Sequence, residues 1–103
     1  MTETAEFFKA LGDETRMNII YALASGEVEK LSVTELAKTM GITQPAASQH
    51  LKTLKNAKLV RARKEGNRIY YTFNRDAVLK YKERVDYLFG CVIEKCDRMD
   101  KEG

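Results

Sequence analysis

Residues 32–73 read SVTELAKTMGITQPAASQHLKTLKNAKLVRARKEGNRIYYTF, and inside that stretch the apolar spacing changes once, from that of a helix to that of a strand. Ser32 and Glu35, three apart, have the makings of a capping box ahead of Leu36, Ala37 and Met40, so a short helix is expected there, ended by Gly41. Thr43 can cap the next helix, with Pro45 tolerated in a first turn whose N–H groups have no intrahelical partner. Ala47, Leu51 and Leu54 step by four and three and turn one face inward, which leaves Gln44, Ser48, Gln49, Lys52 and Lys55 on the other. Two short helices joined by Gly41-Ile42-Thr43 are a helix-turn-helix. After Leu59 the period is two: Val60 and Ala62 alternate with Arg61 and Arg63, and Ile69, Tyr71 and Phe73 repeat the pattern. Glu65-Gly66-Asn67-Arg68 supplies the turn between them, so the segment is a hairpin wing with a basic outer face.

Working outward, Phe7, Phe8 and Leu11 make an apolar patch on a first helix that Gly12 ends. Asp13 can cap a second helix through Ala24, with Met17, Ile20, Tyr21 and Leu23 or Ala24 as its inward positions and Gly26 as its stop. Downstream, a helix from about Asp76 to Arg98 carries Val78, Tyr81, Val85, Leu88, Val92 and Met99, with Phe89, Ile93 and Cys96 widening the stripe. That is more apolar surface than so small a chain can cover by itself, and a dimer seam is expected there together with the Phe7 and Phe8 helix. The expected architecture is α+β and mainly helical: one winged helix-turn-helix domain over residues 1–103, with a two-stranded wing and terminal dimerisation helices.

Charge is concentrated where those motifs lie. Residues 43–75 hold eight Lys or Arg against one acid, Glu65, a net of +7, while the rest of the chain has 10 bases and 14 acids. A basic footprint confined to one third of a molecule suits a polyanion, because neutralised phosphates release counterions. On a helix-turn-helix and a wing it points to double-stranded DNA. At 103 residues, with 44% apolar and 32% charged side chains, the chain is expected to fold as one globular domain with no membrane span. The early Glu3 and Glu6 argue against a secretory signal, so a cytoplasmic location with both cysteines reduced is the expectation. One histidine, no nucleophile elbow and no phosphate-cradling glycine loop argue against an enzyme.

Several of these fragments carry a family likeness. Leu11-Gly12-Asp13-Glu14-Thr15-Arg16 resembles the L-x-D-x-T-R signature that opens the ArsR/SmtB winged-helix repressors. Ser48-Gln49-His50-Leu51, with Leu54 and Leu59-Val60 after it, is similar to that family's S-x-H-L recognition helix, and Tyr70-Tyr71 matches the end of its wing. The resemblance covers roughly residues 5 to 90. It implies a homodimeric transcriptional repressor that leaves its operator DNA when a metal ion, metalloid or oxidant binds; the basic stretch and the apolar last helix, in a two-fold dimer, lead to the expectation of an inverted-repeat operator. Some members carry C-x-C on the third helix, where this chain has Glu35-Leu36-Ala37-Lys38-Thr39 without a thiol. Others build a zinc or nickel site from paired histidines and carboxylates, which a chain with only His50 cannot supply. Arsenic sensors in the family place cysteines on the last helix, which keeps Cys91 and Cys96 in view as metal or redox sensing residues, with arsenite or a soft metal ion as inducer.

On that basis the DNA-binding candidates are Gln44, Ser48, Gln49, Lys52, Lys55, Arg61, Arg63, Lys64, Asn67 and Arg68. Gln can pair bidentately with adenine, and the cations would hold phosphates or reach the minor groove. His50 borders the buried face of its helix and is expected to be a packed, hydrogen-bonded residue rather than a ligand or a base. Cys91 and Cys96 are five apart, which on a regular helix is about 7.5 Å of rise and about 140° of rotation, so they point different ways unless the helix breaks near Gly90. Two alternatives stay open: a winged-helix regulator without metal or redox sensing, and a winged-helix protein-interaction module, which an apolar outer face on the Gln44 helix would favour.

Overall fold

Capping chemistry divides the first half of the chain into its helices. The Asp13 backbone is extended and its carboxylate accepts the Arg16 N–H at 3.0 Å, opening α2 (Glu14–Ala24) directly behind α1 (Thr2–Leu11). Both halves of the expected capping box form between Ser32 and Glu35 and start α3 (Val33–Met40). Gly41 then takes the left-handed conformation, φ 66°, and the Ile42 N–H returns to the Ala37 carbonyl at 3.0 Å in a Schellman turn. Thr43 caps α4 (Gln44–Asn56), with Pro45 in its first turn. The computed structural model describes residues 2–25 and 30–102, with side chains as far as Met99, so Gly26, the expected stop of the second helix, lies outside the described residues.

α4 ends in a second Schellman turn, with Lys58 rather than glycine in the left-handed position, φ 63°. The Lys58 N–H bonds the Lys55 carbonyl and the Leu59 N–H bonds the Leu54 carbonyl, both at 2.9 Å, while Leu54 and Leu59 are buried together beneath. A side chain in that conformation costs about 1–2 kcal/mol, and glycine gives part of it back as freedom of the unfolded chain. Lys58→Gly is therefore expected to stabilise the fold by about 0.5–1 kcal/mol in denaturant titration. A loss of stability instead would show that the Lys58 side chain supports the turn.

The wing forms as the alternation predicts, and it gains a neighbour. β2 (Val60–Glu65) and β3 (Arg68–Phe73) pair antiparallel from Val60 opposite Phe73 to Glu65 opposite Arg68. Gly66 takes φ 62° at the first position of the two-residue turn, which is where a type II′ turn needs a glycine. In addition, β1 (Leu31–Ser32) pairs with β3, Leu31 opposite Tyr71 and Ser32 opposite Tyr70, giving a three-stranded sheet in the order β1-β3-β2. Ser32 both ends β1, opposite Tyr70 in the middle of β3, and caps α3, so the wing and the start of the helix-turn-helix are joined at one residue.

Ile19, Leu36, Leu51, Leu54 and Leu59 are fully buried at the centre of the core, with Ala47 beside them. α2 differs from the expectation. It buries Ile19 and Leu23, half-buries Ile20, and leaves Met17 and Tyr21 exposed, Tyr21 at 75%. The last helix, α5 (Arg75–Glu102), is 28 residues long, or about 42 Å, in a molecule whose longest dimension is 62 Å. Asn74 caps it through Oδ1 to the Ala77 N–H. Tyr81 is buried, stacks on Phe7 with ring centroids 4.5 Å apart, and donates its hydroxyl to the Ala57 carbonyl at the end of α4. From Asp86 to Met99 every side chain is exposed, Leu88, Phe89, Val92 and Ile93 among them. The helix runs through Gly90 without the break that would have let Cys91 and Cys96 turn the same way.

Candidate nucleic-acid interface

The inward face of α4 is Ala47, Leu51 and Leu54, and anchoring it turns Gln44, Ser48, Gln49, Lys52 and Lys55 to solvent. The Gln44 amide donates to Thr34 Oγ1 at 3.2 Å, which ties the first turn of α4 to the first turn of α3 and leaves the Gln44 carbonyl oxygen free. Thr34 lines, together with Asn67 and Arg68, an open cleft of about 450 Å³ between α3 and the wing tip. The start of α4 and the tip of the wing thus flank the same end of α3.

Along the wing, Arg63, Lys64, Asn67 and Arg68 are exposed around the turn. Strand alternation puts Arg61 and Arg63 on one face and Lys64 on the other. Arg61 stands apart from the rest at the root of the wing, where its guanidinium lies 3.7 Å from the Asp76 carboxylate in an exposed pair. Such a pair holds a side chain by no more than about 1 kcal/mol. Glu65, the one acid of the basic stretch, meets Lys30 at 2.6 Å, and the same ammonium sits 4.6 Å above the Tyr70 ring. The carboxylate raises the Lys30 pKa by accepting that hydrogen bond. Sequence reading missed Lys30, which is 35 residues from Glu65 and reaches it only because β1 joins the sheet.

At the other side of α4, Arg16 makes a second contact that sequence spacing does not reveal. Its Nε donates to the Ala10 carbonyl at 2.6 Å, Nη2 to the Lys9 carbonyl at 3.3 Å, and Nη1 lies 3.3 Å from Nδ1 of the half-buried His50. The arginine therefore caps the last carbonyls of α1, sharing that of Lys9 with the Gly12 N–H, while touching α4. His50 is packed and hydrogen-bonded, as its position implied. The Arg16 backbone N–H holds the Asp13 carboxyl below its usual range against the opposing effect of burial, with the Arg16 charge adding to the lowering. The cap is thus fully present above the ordinary aspartate range and is lost as pH falls through the lowered value.

Cys91 and Cys96 are free and exposed. On an unbroken helix they point away from each other, and among the described residues no group of three or more His, Cys, Asp or Glu is placed to hold a metal ion. The thiols of one chain do not fit a shared metal; a pair would have to draw on two copies. Among the described residues no helix is long and apolar enough to cross a membrane.

This geometry agrees with what the chain is similar to. Residues 13–62 match the family described as bacterial regulatory protein, arsR family, a span that runs from the Asp13 cap to the first half of β2. The HTH-type transcriptional regulator KmtR of Mycobacterium tuberculosis is 41% identical over 73 residues, 71% of this chain and 54% of that protein. A cadmium resistance transcriptional regulatory protein CadC homolog of Staphylococcus aureus is 37% identical over 83 residues, 80% of this chain and 66% of that one. The chain thus spans between about half and two thirds of the length of these curated relatives. Among solved structures, an ArsR-like transcriptional regulator from Rhodococcus superposes with a TM-score of 0.84 at 25% identity, covering 99% of this chain and 93% of that one. The homodimeric winged helix-turn-helix DNA-binding domain of a Mycobacterium bovis protein gives 0.68 at 30% identity, covering 91% and 81%. With its signature residues at the α2 cap, its winged helix-turn-helix and relatives of this kind, the chain belongs to the arsR family of bacterial regulatory proteins.

Proposed function

We propose that this chain is a homodimeric transcriptional repressor that occupies duplex operator DNA, with α4 in the major groove and the wing against the neighbouring minor groove. The observation that carries the reading is the shared location of the exposed start of α4 and the basic wing tip, both flanking the first turn of α3. Ser48 and Gln49, with the free carbonyl of Gln44, are the base-reading groups. Lys52, Lys55, Arg63, Lys64, Asn67 and Arg68 hold the phosphate backbone, and Arg61 joins them by leaving its loose pair with Asp76. The polar outer face of α4 favours this over a protein-interaction module. The exposed apolar half of α5, with half-exposed Phe8 of α1, is the surface on which a second copy docks, in line with the homodimer of the Mycobacterium bovis relative.

A duplex enriched by the protein from a random library separates readers from holders. Gln49→Ala is expected to lose about 1–3 kcal/mol of discrimination at one base pair, while Arg63→Ala weakens all sequences alike and reduces the salt slope by about one. Equal loss on selected and random DNA by the Gln49 variant would remove it from the readers.

The exposed thiols of Cys91 and Cys96 are where a soft, thiol-directed inducer such as arsenite or cadmium would act, in keeping with the cadmium resistance named for the Staphylococcus aureus relative. Since one helix cannot bring them together, such a site spans the dimer. Release of bound DNA by arsenite, cadmium or an oxidant, lost in a Cys91→Ser, Cys96→Ser variant, is the expected result. Equal release from both proteins would place the sensor elsewhere, and no release from either would leave a repressor without thiol control.

A further inference from the structure

We propose that His50, held neutral against the Arg16 guanidinium, is a positioning residue for α4, and that protonating it opens this tie and weakens DNA binding. The inference rests on the DNA-binding reading of α4 and adds to it a proton-sensitive control.

Arginine has only donors, so Nη1 at 3.3 Å from Nδ1 requires the ring to present a lone pair there, with its proton on Nε2. The guanidinium cannot follow the ring if the ring withdraws. Its Nε and Nη2 are committed to the Ala10 and Lys9 carbonyls, and its backbone N–H is bound by the Asp13 carboxylate. The contact therefore links the end of α1 and the start of α2 to the middle of α4, one residue from Gln49. A proton on Nδ1 removes the acceptor and sets two like charges side by side.

The charged groups that face this point are few. Arg16 and Asp13 come from α2, and Glu6 and Lys9 of α1 line the cleft that Arg16 shares with Thr53 of α4. The charges of the other elements packed on α4 are turned elsewhere. Glu35 of α3 bonds Ser32, Lys38 is exposed, and Arg61 of β2 reaches Asp76. Asp13 is the carboxylate that favours a charged ring and Arg16 the cation that opposes it, and only Arg16 is in hydrogen-bonding contact with the ring.

Adding positive charge to a DNA-contacting helix should on electrostatic grounds tighten binding to a polyanion. Opening the tie predicts the reverse. His50 is the one histidine in the chain, so a change in binding between pH 7.5 and 5.5 is read against a variant that lacks the imidazole.

The experiment measures fluorescence anisotropy of the duplex selected at pH 7.5, at constant ionic strength, across that range. The parent is expected to bind about tenfold more weakly at pH 5.5, the scale of one charge-assisted hydrogen bond. His50→Asn offers an amide oxygen near the place of Nδ1 and does not titrate, so it should bind well at pH 7.5 and show no such loss. Nitrogen-15 NMR of the single imidazole should show Nε2 protonated and Nδ1 bare at pH 7.5 in the free protein. Tighter or unchanged binding by the parent on acidification, the parent's slope persisting in His50→Asn, or a proton on Nδ1 at pH 7.5 would each overturn the proposal. If no duplex is enriched at all, the DNA-binding reading fails, and the NMR tautomer still decides whether Arg16 and His50 are tied.

Discussion

Leu51→Ala is expected to remove about 3–5 kcal/mol of stability, because the leucine is completely buried on the inward face of α4 within the core and its loss leaves a cavity that a small core cannot refill. Domains of this size have only about 5–15 kcal/mol in total. The variant should therefore melt roughly 15–30 °C below the parent and lose DNA binding through unfolding rather than through any missing contact. Chemical denaturation followed by circular dichroism measures this directly. A cost below about 1.5 kcal/mol would show that the helix can shift to close the gap, and the rigid anchoring of the reading face on Ala47, Leu51 and Leu54 would have to be given up.

The second large effect lies at the other end of the molecule. Leu88 and Val92 are four apart on α5 and touch nothing that the core needs, so Leu88→Glu with Val92→Glu should leave the helical signal of each chain nearly intact. If this stripe is the dimer surface, four buried carboxylates cannot be accommodated across a two-fold axis, and sedimentation should show a monomer. Operator affinity should fall by about 10²–10⁴, since each half-site would then be bound independently. A dimer that persists at micromolar concentration would move the interface away from the distal half of α5.

Legibility followed the strength of local signals. Caps at Asp13, Ser32 and Thr43, the glycine stop at Gly41 and the alternation of β2 and β3 each rest on chemistry within a few residues, and each formed as expected. The inward face of α2 did not. From Met17 to Ala24 nearly every residue is apolar, so two faces satisfy helical spacing, and the choice of Ile19 and Leu23 over Met17 and Tyr21 is made by what packs against the helix. β1 has two residues, too few to show a period, and its pairing is set by β3, some 40 residues away. Gly90, where a break would have been needed to bring the two cysteines together, stays inside the helix, because one glycine costs only about 1 kcal/mol and leaves every backbone hydrogen bond available. In the candidate site the exposed polar and basic residues of α4 and the wing were legible. The Lys30 contact with Glu65, the Gln44 tie to Thr34 and the Arg16 contact with His50 were not, since each joins residues between 10 and 35 positions apart through tertiary packing.

The stacking of Phe7 on Tyr81 joins residues 74 positions apart, and it bears on when the protein can fold. The helix-turn-helix and the wing are built from neighbours in sequence and can assemble as soon as they leave the ribosome. The first helix cannot, because the ring that covers Phe7 is synthesised near the far end of the chain. Closing so long a loop is slow and late compared with making local turns. A nascent chain that stops short of Tyr81 would present Phe7 and the Ala57 end of α4 to solvent together, and that intermediate is the species on which a chaperone or a protease would act.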